Sequence, residues 1–342
     1  MSKARLSLFP LSVIYDGVTR IKNFLYDKDI LKSSKFQIPL IVIGNLSVGG
    51  TGKTPHTEFV ANLVKDQFKT AVLSRGYGRK TKGYILANPD SITKEIGDEP
   101  LQIFNSVPNI NVAVCENRTT GVQNLLESVK PEVVILDDAF QHRKIQGSLY
   151  VLLTTFQKLF TDDFILPAGN LRESASNKER ANVIIITKCP SDLSSTEKGK
   201  IIAKIKPSSS QQVFFSFIQY NEPKPFTKNT KWNSSNKVVL VTGIVNPTPL
   251  QLHLESLGHE VKLLSYPDHY DYTQKDIEKL QQEIQLLGTN SVIATTSKDA
   301  VKLKPLMNNL AVDAFEIPIK VGFLFDQEKE FKNIILEHVR KI

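Results

Sequence analysis

The sequence predicts an α/β fold in which a parallel sheet carries helices on both faces and a smaller C-terminal α/β domain follows. Three observations lead to this fold class. A glycine-rich stretch, residues 47–54, separates the apolar run 38–45 from a segment that can form a helix. Further apolar runs of strand length alternate with helical stretches, which is typical of parallel sheets. The chain has 342 residues, 41% of them hydrophobic, and can therefore bury the cores of two domains.

Composition narrows the range of partners and compartments. The net charge of +8 at pH 7 favours an acidic partner, such as a nucleotide, a nucleic acid or an anionic membrane. No RNA-binding or helix-turn-helix signature stands out, so we expect no nucleic-acid partner. The two cysteines, Cys115 and Cys189, form no C-x-x-C motif, and we find no cleavable apolar signal. These features argue against a zinc ribbon, a disulfide framework and export, and they favour a reducing cytoplasm.

Residues 1–37 are predicted to form an amphipathic N-terminal segment. Apolar side chains recur there at helical spacing, at Leu11, Ile14, Tyr15, Val18, Ile21 and Leu25. The segment carries seven Lys and Arg residues against three Asp, which favours an anionic membrane surface. Charges interrupt it well short of the length that spans a bilayer. Two interpretations stay open at this point: the helix docks on a membrane, or it packs on its own domain.

The glycine-rich stretch has the composition of a phosphate-binding P-loop. It consists of Ser47, Val48, Gly49, Gly50, Thr51, Gly52, Lys53 and Thr54. Glycines let backbone N–H groups turn toward phosphate oxygens, and the start of the following helix favours negative charge. Lys53 can reach the β- and γ-phosphates, and the Thr54 hydroxyl can hold Mg²⁺. Although Ser47 stands where the general pattern has its first glycine, the loop predicts a nucleoside triphosphate site on a P-loop NTPase-like sheet.

Three strands are predicted after the P-loop, within residues 70–74, 130–138 and 181–187. Because the carboxyl ends of parallel strands meet at one edge of a sheet, the loops that follow them should share that edge with the P-loop. Asp137 and Asp138 end a run of four apolar residues and fit a Walker-B position, whose carboxylate binds Mg²⁺ directly or through water. The sequence does not select one of the two, and an Asp pair can also simply begin a turn.

The chain divides into three parts in this prediction: residues 1–37, a P-loop core at 38–220 and a smaller α/β domain at 221–342. A polar, proline-containing stretch after Tyr220 marks the second boundary. The smaller domain is predicted to hold strands at 238–242, 261–264 and 291–295 and a helix at 273–287. The segment 314–325 is predicted to return to the core as paired strands. The smaller domain lacks a second P-loop, so we expect it to complete the site rather than to bind a nucleotide of its own.

Seven short motifs, in a fixed order, resemble those of one family. They are residues 44–55 (Gly-Asn-Leu-Ser-Val-Gly-Gly-Thr-Gly-Lys-Thr-Pro), 74–78 (Ser-Arg-Gly-Tyr-Gly), 97–100 (Gly-Asp-Glu-Pro), 137–143 (Asp-Asp-Ala-Phe-Gln-His-Arg), 166–173 (Leu-Pro-Ala-Gly-Asn-Leu-Arg-Glu), 267–269 (Pro-Asp-His) and 298–302 (Lys-Asp-Ala-Val-Lys). Over nearly its whole length the chain resembles the tetraacyldisaccharide 4'-kinases of lipid A synthesis. The resemblance implies transfer of the ATP γ-phosphate to the 4'-hydroxyl of a tetraacylated glucosamine disaccharide 1-phosphate, giving lipid IVA.

The resemblance also implies cofactors and a location. ATP and Mg²⁺ would be needed for the transfer. Acyl chains hold such an acceptor in the bilayer, so an enzyme with a cytosolic ATP site must approach the inner leaflet. We therefore expect a peripheral protein at the cytoplasmic face of the bacterial inner membrane. This expectation favours membrane docking by the N-terminal helix.

An arginine is expected to help Lys53 in the chemistry. Phosphoryl transfer depends mainly on positioning the reactants and on neutralising the phosphate oxygens, a task for Lys53, Mg²⁺ and an arginine. Arg172, in a loop rich in Pro and Gly that could close over the nucleotide, is the first candidate. Arg75, Arg118 and Arg143 are the alternatives.

A base for the acceptor hydroxyl is also implied by the resemblance. Asp98 would accept the proton, while His269 from the smaller domain orients that carboxylate. Domain closure on the substrate would then assemble the pair and exclude water. By sequence alone, Asp98 is more often a turn or helix-cap residue, and His269 more often a loop residue.

Two other functions share parts of this pattern. Another P-loop NTPase or small-molecule kinase would need Lys53, Thr54 and Asp137, but neither an amphipathic N-terminus nor a lipid acceptor. A nucleotide-regulated protein that docks on membranes without catalysis would depend on Lys53 but not on Asp98.

Overall fold

Two sheets organise the chain in a computed structural model that describes residues 5, 7–227, 232, 237–288, 290–307 and 312–342. The larger sheet contains β1 (Leu40–Asn45), β2 (Thr70–Ser74), β3 (Ile85–Leu86), β4 (Asn111–Val114), β5 (Val133–Asp137), β6 (Leu149–Thr155), β7 (Val183–Thr187), β8 (Gln212–Tyr220) and β14 (Ile319–Phe323). The smaller sheet contains β9 (Lys224–Pro225), β10 (Lys237–Thr242), β11 (Glu260–Ser265), β12 (Ser291–Thr296) and β13 (Ala314–Ile317).

Both sheets are mostly parallel. The larger sheet has the strand order β14-β8-β7-β6-β1-β5-β2-β4-β3, and only its edge strands β3 and β14 run antiparallel to their neighbours among the described residues. The smaller sheet has the order β11-β10-β12-β13-β9, with β9 antiparallel to β13. Parallel neighbours need crossover connections, which the helices supply.

The helices connect and cover these strands. They are α1 (Phe9–Asp27), α2 (Lys53–Val64), α3 (Thr93–Ile96), α4 (Asp98–Ser106), α5 (Arg118–Ser128), α6 (Ser195–Ile205), α7 (Thr248–Ser256), α8 (Gln274–Leu287), α9 (Ser297–Met307) and α10 (Glu328–Arg340). Two 3₁₀ segments, Phe160–Asp162 and Ala175–Arg180, lie in the long connection between β6 and β7.

The central strands are buried on both faces because they consist almost entirely of apolar residues. Every residue of β1 and β5 is buried. Ile41 belongs to a core that α2 covers with Val60, whereas Val42 belongs to the opposite core, which α5 covers with Val122. Helices on both faces remove the need for alternation in the strands. The predicted fold class, an α/β protein with a parallel sheet covered on both faces, is confirmed.

The end of the chain returns to the larger sheet. β13 pairs with β12 in the smaller sheet, but β14 pairs antiparallel with β8 in the larger one. Phe331, Ile335 and Val339 of α10 are buried in the same core as Val60 of α2. Two strands lie between residues 314 and 325, as predicted, but their predicted pairing is wrong: β13 stays in the smaller sheet, and only β14 returns to the larger one. The boundary at residue 220 stays a prediction, with the last elements of the chain packed on the core that precedes it.

Candidate active site

The loop after β1 has a backbone geometry that requires glycine at two positions. Gly49 has a φ of +103° and Gly52 a φ of +87°, in the region that L side chains rarely adopt. Gly52 caps α2, so Lys53 is the first residue of that helix and Thr54 lies in its first turn. Residues 48–50 are exposed. The N-terminus of α2 is therefore open to an anion from solvent.

Neighbouring strands and loops hold this P-loop in place. Asn45 Nδ2 donates a hydrogen bond to Thr51 Oγ1 (2.8 Å), and Thr187 Oγ1 donates to the Thr51 carbonyl (2.9 Å). Ser47 forms an isolated antiparallel bridge with Leu171. The buried Thr51 thus anchors the loop to β1 and β7, and Ser47, which replaces the first glycine of the general pattern, contacts a second loop.

His56 is a further support of the P-loop that sequence reasoning missed. Burial lowers the pKa of His56 to about 4, so its ring is neutral at pH 7. Nδ1 lies 2.7 Å from the carbonyl oxygen of Gly52, which can only accept, and Nδ1 therefore carries the proton. Nε2 then accepts from Ser216 Oγ (3.0 Å) in β8. Its position one helical turn after the glycine was the only available signal.

β5 delivers two adjacent carboxylates with different surroundings. Asp137 is 4% exposed and accepts hydrogen bonds from Thr57 Oγ1 (3.0 Å) and Ser74 Oγ (3.2 Å). Burial, and to a lesser extent the charge of Asp138, raises the pKa of Asp137 to about 6. Asp138 is partly exposed, and its Oδ2 lies 3.7 Å from Lys53 Nζ. The structure places both carboxylates beside the P-loop, and their metal role stays a prediction.

Arg172 lies against Asp138 in a tightly built loop. Its Nη1 is 3.2 Å from both carboxylate oxygens of Asp138, and its backbone N–H donates to the Leu46 carbonyl (2.6 Å). A Cβ added at Gly169 would stand 1.9 Å from the carbonyl oxygen of Phe164, so only glycine fits there. The loop therefore holds Arg172 on the P-loop side of the site, and its role in phosphoryl transfer stays a prediction.

The three alternative arginines are placed differently. Arg118 is 2% exposed and donates to backbone carbonyls, among them that of Asp137 (3.3 Å). Burial lowers the pKa of Arg118 to about 10. Arg143 pairs with Asp27 of α1 (2.7 Å), and Arg75 is exposed. Arg118 thus supports the end of β5, and Arg143 connects the N-terminal helix to the body of the protein.

Asp98 is brought to the carboxyl edge of the larger sheet by a close backbone contact. Gly97, with a φ of +94°, precedes it and ends α3. A Cβ on Gly97 would stand 2.9 Å from the carbonyl oxygen of Tyr77, in the loop that follows β2. Asp98 then begins α4, with its carboxylate largely buried.

Two cationic groups from the smaller-sheet part of the chain reach Asp98. His269 Nδ1 lies 3.2 Å and Lys302 Nζ 2.7 Å from Asp98 Oδ2. Burial acts to raise the pKa of Asp98, but the hydrogen bonds from His269 and Lys302 outweigh it and hold the pKa below its ordinary value. The hydrogen bond to Asp98 in turn raises the pKa of His269 above its ordinary value, against the effect of burial. The structure thus brings the predicted Asp98–His269 pair into contact.

Sequence reasoning missed the lysines of α9 as site residues. Lys302 pairs with Asp98, and Lys298 Nζ lies 2.6 Å from Asp268 Oδ1 and 3.3 Å from His269 Nε2. The two lysines are four residues apart and therefore lie on one face of the helix. That spacing was a usable signal, although it does not say which carboxylate the face meets.

α1 packs on the body of the protein through its polar face. Ser12 and Asn23 are buried, and they bond to the backbone N–H of Ala168 (2.9 Å) and to Asn177 Oδ1 (3.1 Å). Most of its apolar side chains are exposed, although Tyr26 is buried and Leu25 is only partly exposed. Seven are each 45% or more exposed: Phe9, Leu11, Val13, Ile14, Val18, Ile21 and Phe24. None of the described helices combines the length and the apolar character needed to cross a membrane.

Comparison with known proteins gives a consistent result. The family model for tetraacyldisaccharide-1-P 4'-kinase matches residues 4–340. A tetraacyldisaccharide 4'-kinase of Flavobacterium johnsoniae is 41% identical, with 100% of this chain and 99% of the relative covered. One of Bacteroides thetaiotaomicron is 40% identical, with 98% and 93% covered.

A solved structure supports the same relationship. The fold is similar to that of LpxK from Aquifex aeolicus, crystallised in complex with ATP, with a TM-score of 0.78 and 31% sequence identity. The match covers 98% of this chain and 99% of that one. The family model, the relatives and the solved structure each extend over nearly the full length, and the chain belongs to the tetraacyldisaccharide-1-P 4'-kinase family.

Proposed function

We propose that the chain is an ATP-dependent lipid kinase that phosphorylates the 4'-hydroxyl of a tetraacylated glucosamine disaccharide 1-phosphate, forming lipid IVA. The position of the Asp98–His269 pair at the P-loop edge of the sheet, in a member of this kinase family, carries the proposal. After burial, the charge of Glu99 is among the causes that raise the pKa of Asp137. Glu99, the residue after Asp98, is therefore within electrostatic range of Asp137.

Each group has a task in this reaction. A bond forms between the acceptor's 4'-oxygen and the γ-phosphorus, the bond from that phosphorus to the β,γ-bridging oxygen breaks, and ADP leaves. Lys53 and the backbone N–H groups of the P-loop hold the phosphates, and Arg172 neutralises charge on the transferring phosphoryl group. Asp98 takes the proton of the 4'-hydroxyl, and His269 orients its carboxylate. Because its pKa is low, Asp98 is ionised at neutral pH.

The residues present fit a Mg²⁺ ion. Thr54, Asp137 and Asp138 offer oxygen atoms, the ligand type that Mg²⁺ prefers. In the described part of the chain no group of three or more His, Cys, Asp or Glu side chains forms a metal cage. Mg²⁺ commonly uses one or two carboxylates and takes its other ligands from phosphates and water. The ion would supply charge neutralisation at the phosphate oxygens.

α1 would bring this site to the inner leaflet of the membrane. Its exposed apolar side chains form one surface, and the segment is rich in Lys and Arg, which anionic lipids attract. Polar contacts such as Ala168 N–H to Ser12 Oγ hold the opposite face on the protein. This orientation supports docking on a bilayer over packing of the apolar face within the protein. The proposed use of ATP supports a peripheral location at the cytoplasmic face.

Vesicle binding tests the docking role. Val18→Asp adds a charge to the apolar face of α1, where Val18 is 63% exposed, and should release the protein from vesicles containing anionic lipid. Leu252→Asp is the matched control, because Leu252 is 58% exposed but lies on α7. Co-sedimentation that falls equally for both variants, or for neither, would argue against docking through α1.

Acceptor dependence tests the kinase proposal. With Mg²⁺ and γ-labelled ATP, we expect label in the detergent-dispersed disaccharide lipid, little free phosphate, and far slower formation of ADP when the lipid is omitted. Phosphate release at the same rate with and without lipid, and no labelled lipid, would indicate an NTPase instead.

A further inference from the structure

α1 lies against the segment 163–180, which contains Arg172. Three side chains of α1 donate or accept hydrogen bonds across this contact, namely those of Ser12, Arg20 and Asn23. The bond of Arg20 is exposed and that of Asn23 is half-buried. Ser12 differs from both, because it is 1% exposed and its Oγ accepts from the backbone N–H of the fully buried Ala168 (2.9 Å). Ser12 therefore makes the buried polar link between α1 and this segment.

The surroundings offer no substitute for the Ser12 hydroxyl. Within the described residues, the Ala168 N–H has no acceptor other than Ser12 Oγ. A backbone N–H that is buried without a partner is costly, because it has also lost its hydrogen bond to water. Loss of the hydroxyl would therefore favour a shift of the chain around Ala168 that restores an acceptor.

The chain that follows Ala168 is bonded to the entry of the P-loop. The Val48 N–H donates to the carbonyl oxygen of Asn170 (2.8 Å). The Arg172 N–H donates to that of Leu46 (2.6 Å), which completes a short antiparallel ladder. The same short stretch is thus fixed by α1 at Ala168 and by the P-loop at residues 170–172.

Residues 168–172 have little freedom to absorb a shift. Gly169 has no space for a Cβ, which would stand 1.9 Å from the carbonyl oxygen of Phe164. Asn170 Nδ2 donates to Asp163 Oδ2 (3.0 Å), which ties the stretch to its own loop. Closely packed chain transmits a displacement to its neighbours instead of absorbing it. A shift at the α1 end is therefore carried to the arginine at the other end.

The Arg172 side chain is where such a shift affects chemistry. It is 30% exposed, and its Nη1 lies 3.2 Å from both carboxylate oxygens of Asp138. In the proposed reaction the same guanidinium meets the oxygens of the transferring phosphoryl group. A misplacement of about 1 Å in such a group can lower the rate about 10²-fold. ATP binding, in contrast, depends on Lys53 and on the backbone of the P-loop.

We propose that Ser12 is a positioning residue for phosphoryl transfer, an inference that rests on the proposed kinase function and on the role of Arg172 in it. The Ser12 hydroxyl holds Ala168 against α1, and the rigid stretch 168–172 then places Arg172 where it meets the phosphoryl group. Because Ser12 belongs to the proposed membrane-docking helix, the seating of α1 and the rate of transfer are linked through one buried hydrogen bond.

Kinetics of Ser12→Ala, alone and combined with Arg172→Ala, test the proposal. Both KM values and kcat are measured with γ-labelled ATP and the detergent-dispersed disaccharide lipid. We expect Ser12→Ala to lower kcat about tenfold, the effect of one lost buried acceptor, and to leave both KM values unchanged. In the Arg172→Ala background it should cause no further loss, because the residue through which Ser12 acts is absent. Thr19→Ala is the matched control, since Thr19 Oγ1 donates to the Asp16 carbonyl of its own helix (3.0 Å).

Hydrogen exchange measures the seating of this stretch without catalysis. The backbone N–H groups of Ala168, Leu171 and Arg172 donate hydrogen bonds within the protein, which slows their exchange with solvent. We expect them to exchange faster in Ser12→Ala than in the wild type, and at wild-type rates in Thr19→Ala.

Three outcomes would overturn the proposal. Equal fold losses of kcat with and without Arg172 would make Ser12 a general structural support. A higher KM for the lipid at unchanged kcat would assign Ser12 to membrane docking alone. Equal exchange at residues 168–172 in Ser12→Ala and Thr19→Ala would show that Ser12 does not seat this stretch. A wild type that labels no lipid would instead refute the proposed function, and the exchange rates would still decide whether Ser12 seats these residues.

Discussion

Replacing Lys302 by methionine tests how the smaller-sheet part of the chain holds the base. The change keeps the side-chain length and removes the charge that lies 2.7 Å from Asp98, in a pair whose side chains are 4% and 13% exposed. At that distance and an effective dielectric constant of about 20, the gross attraction is about 6 kcal/mol. Desolvation offsets part of it. Removing one partner of such a buried pair costs about 3–5 kcal/mol, and we expect Lys302→Met to lose that much unfolding free energy.

Lys302→Met should also change the pH dependence of kcat/KM. In the wild type the pKa of Asp98 lies below 3.8, so its carboxylate contributes stability above pH 3.8 that is lost as the pH falls through the folded-state pKa. Without Lys302 the pKa rises, and the carboxylate takes up its proton at higher pH. Because the base must be ionised, Lys302→Met should lose kcat/KM on acidification before the wild type does.

Urea unfolding and the pH profile of kcat/KM measure these effects. Lys304→Met is the control. Lys304 lies on the same helix as Lys302 and pairs with Glu316 of β13 (2.9 Å), but it is 39% exposed. Its replacement should cost less than about 1 kcal/mol and leave the pH profile unchanged. Lys302→Arg keeps the positive charge, so its kcat/KM should fall on acidification at the same pH as that of the wild type. The reasoning would be refuted if Lys302→Met had wild-type stability and lost kcat/KM on acidification at the same pH as the wild type.

Two further predictions follow from His269 and Gly169. The pKa of His269 is raised above 6.5, so its pair with Asp98 stabilises the fold fully below pH 6.5 and less as the pH rises through the folded-state pKa. Urea unfolding of wild type and His269→Gln should therefore differ most between about pH 3.8 and 6.5, where Asp98 is ionised and His269 is protonated, and a constant difference would be inconsistent with the pair. Gly169→Ala should cost about 1–3 kcal/mol or more in thermal unfolding, because no space exists for its Cβ. Gly199→Ala, exposed within α6, should instead stabilise by about 1 kcal/mol, and equal shifts for both would contradict the loop geometry.

Local sequence predicted the elements well and their distant partners poorly. The apolar runs around residues 133–137 and 183–187 are strands because both sheet faces are covered, which makes such runs easy to recognise. That β14 would pair with β8 rather than join the smaller sheet depends on contacts between distant parts of the chain. Likewise, the helical spacing in α1 was clear, but it could not say that Ser12 and Asn23 would face the protein.

In the candidate site too, local motifs could be predicted from the sequence, but contacts between distant residues could not. Lys53, Thr54 and Asp137 could be predicted because they lie in short motifs with a chemical rationale. Their surroundings could not: Lys302 meets Asp98 only because α9 of the smaller-sheet part packs against α4. His56 supports the P-loop through a hydrogen bond that depends on its protonation, which burial determines and sequence does not.

The central claim, a P-loop that holds ATP and an Asp98 that activates the acceptor, is tested most directly by transfer of labelled γ-phosphate. Wild type, Lys53→Ala and Asp98→Ala are compared with the tetraacyl disaccharide 1-phosphate and Mg²⁺, and ATP binding is measured alongside. We predict labelled lipid from the wild type, loss of ATP binding and transfer in Lys53→Ala, and normal ATP binding with transfer about 10²- to 10⁴-fold slower in Asp98→Ala. Near-normal transfer by Asp98→Ala would contradict the account.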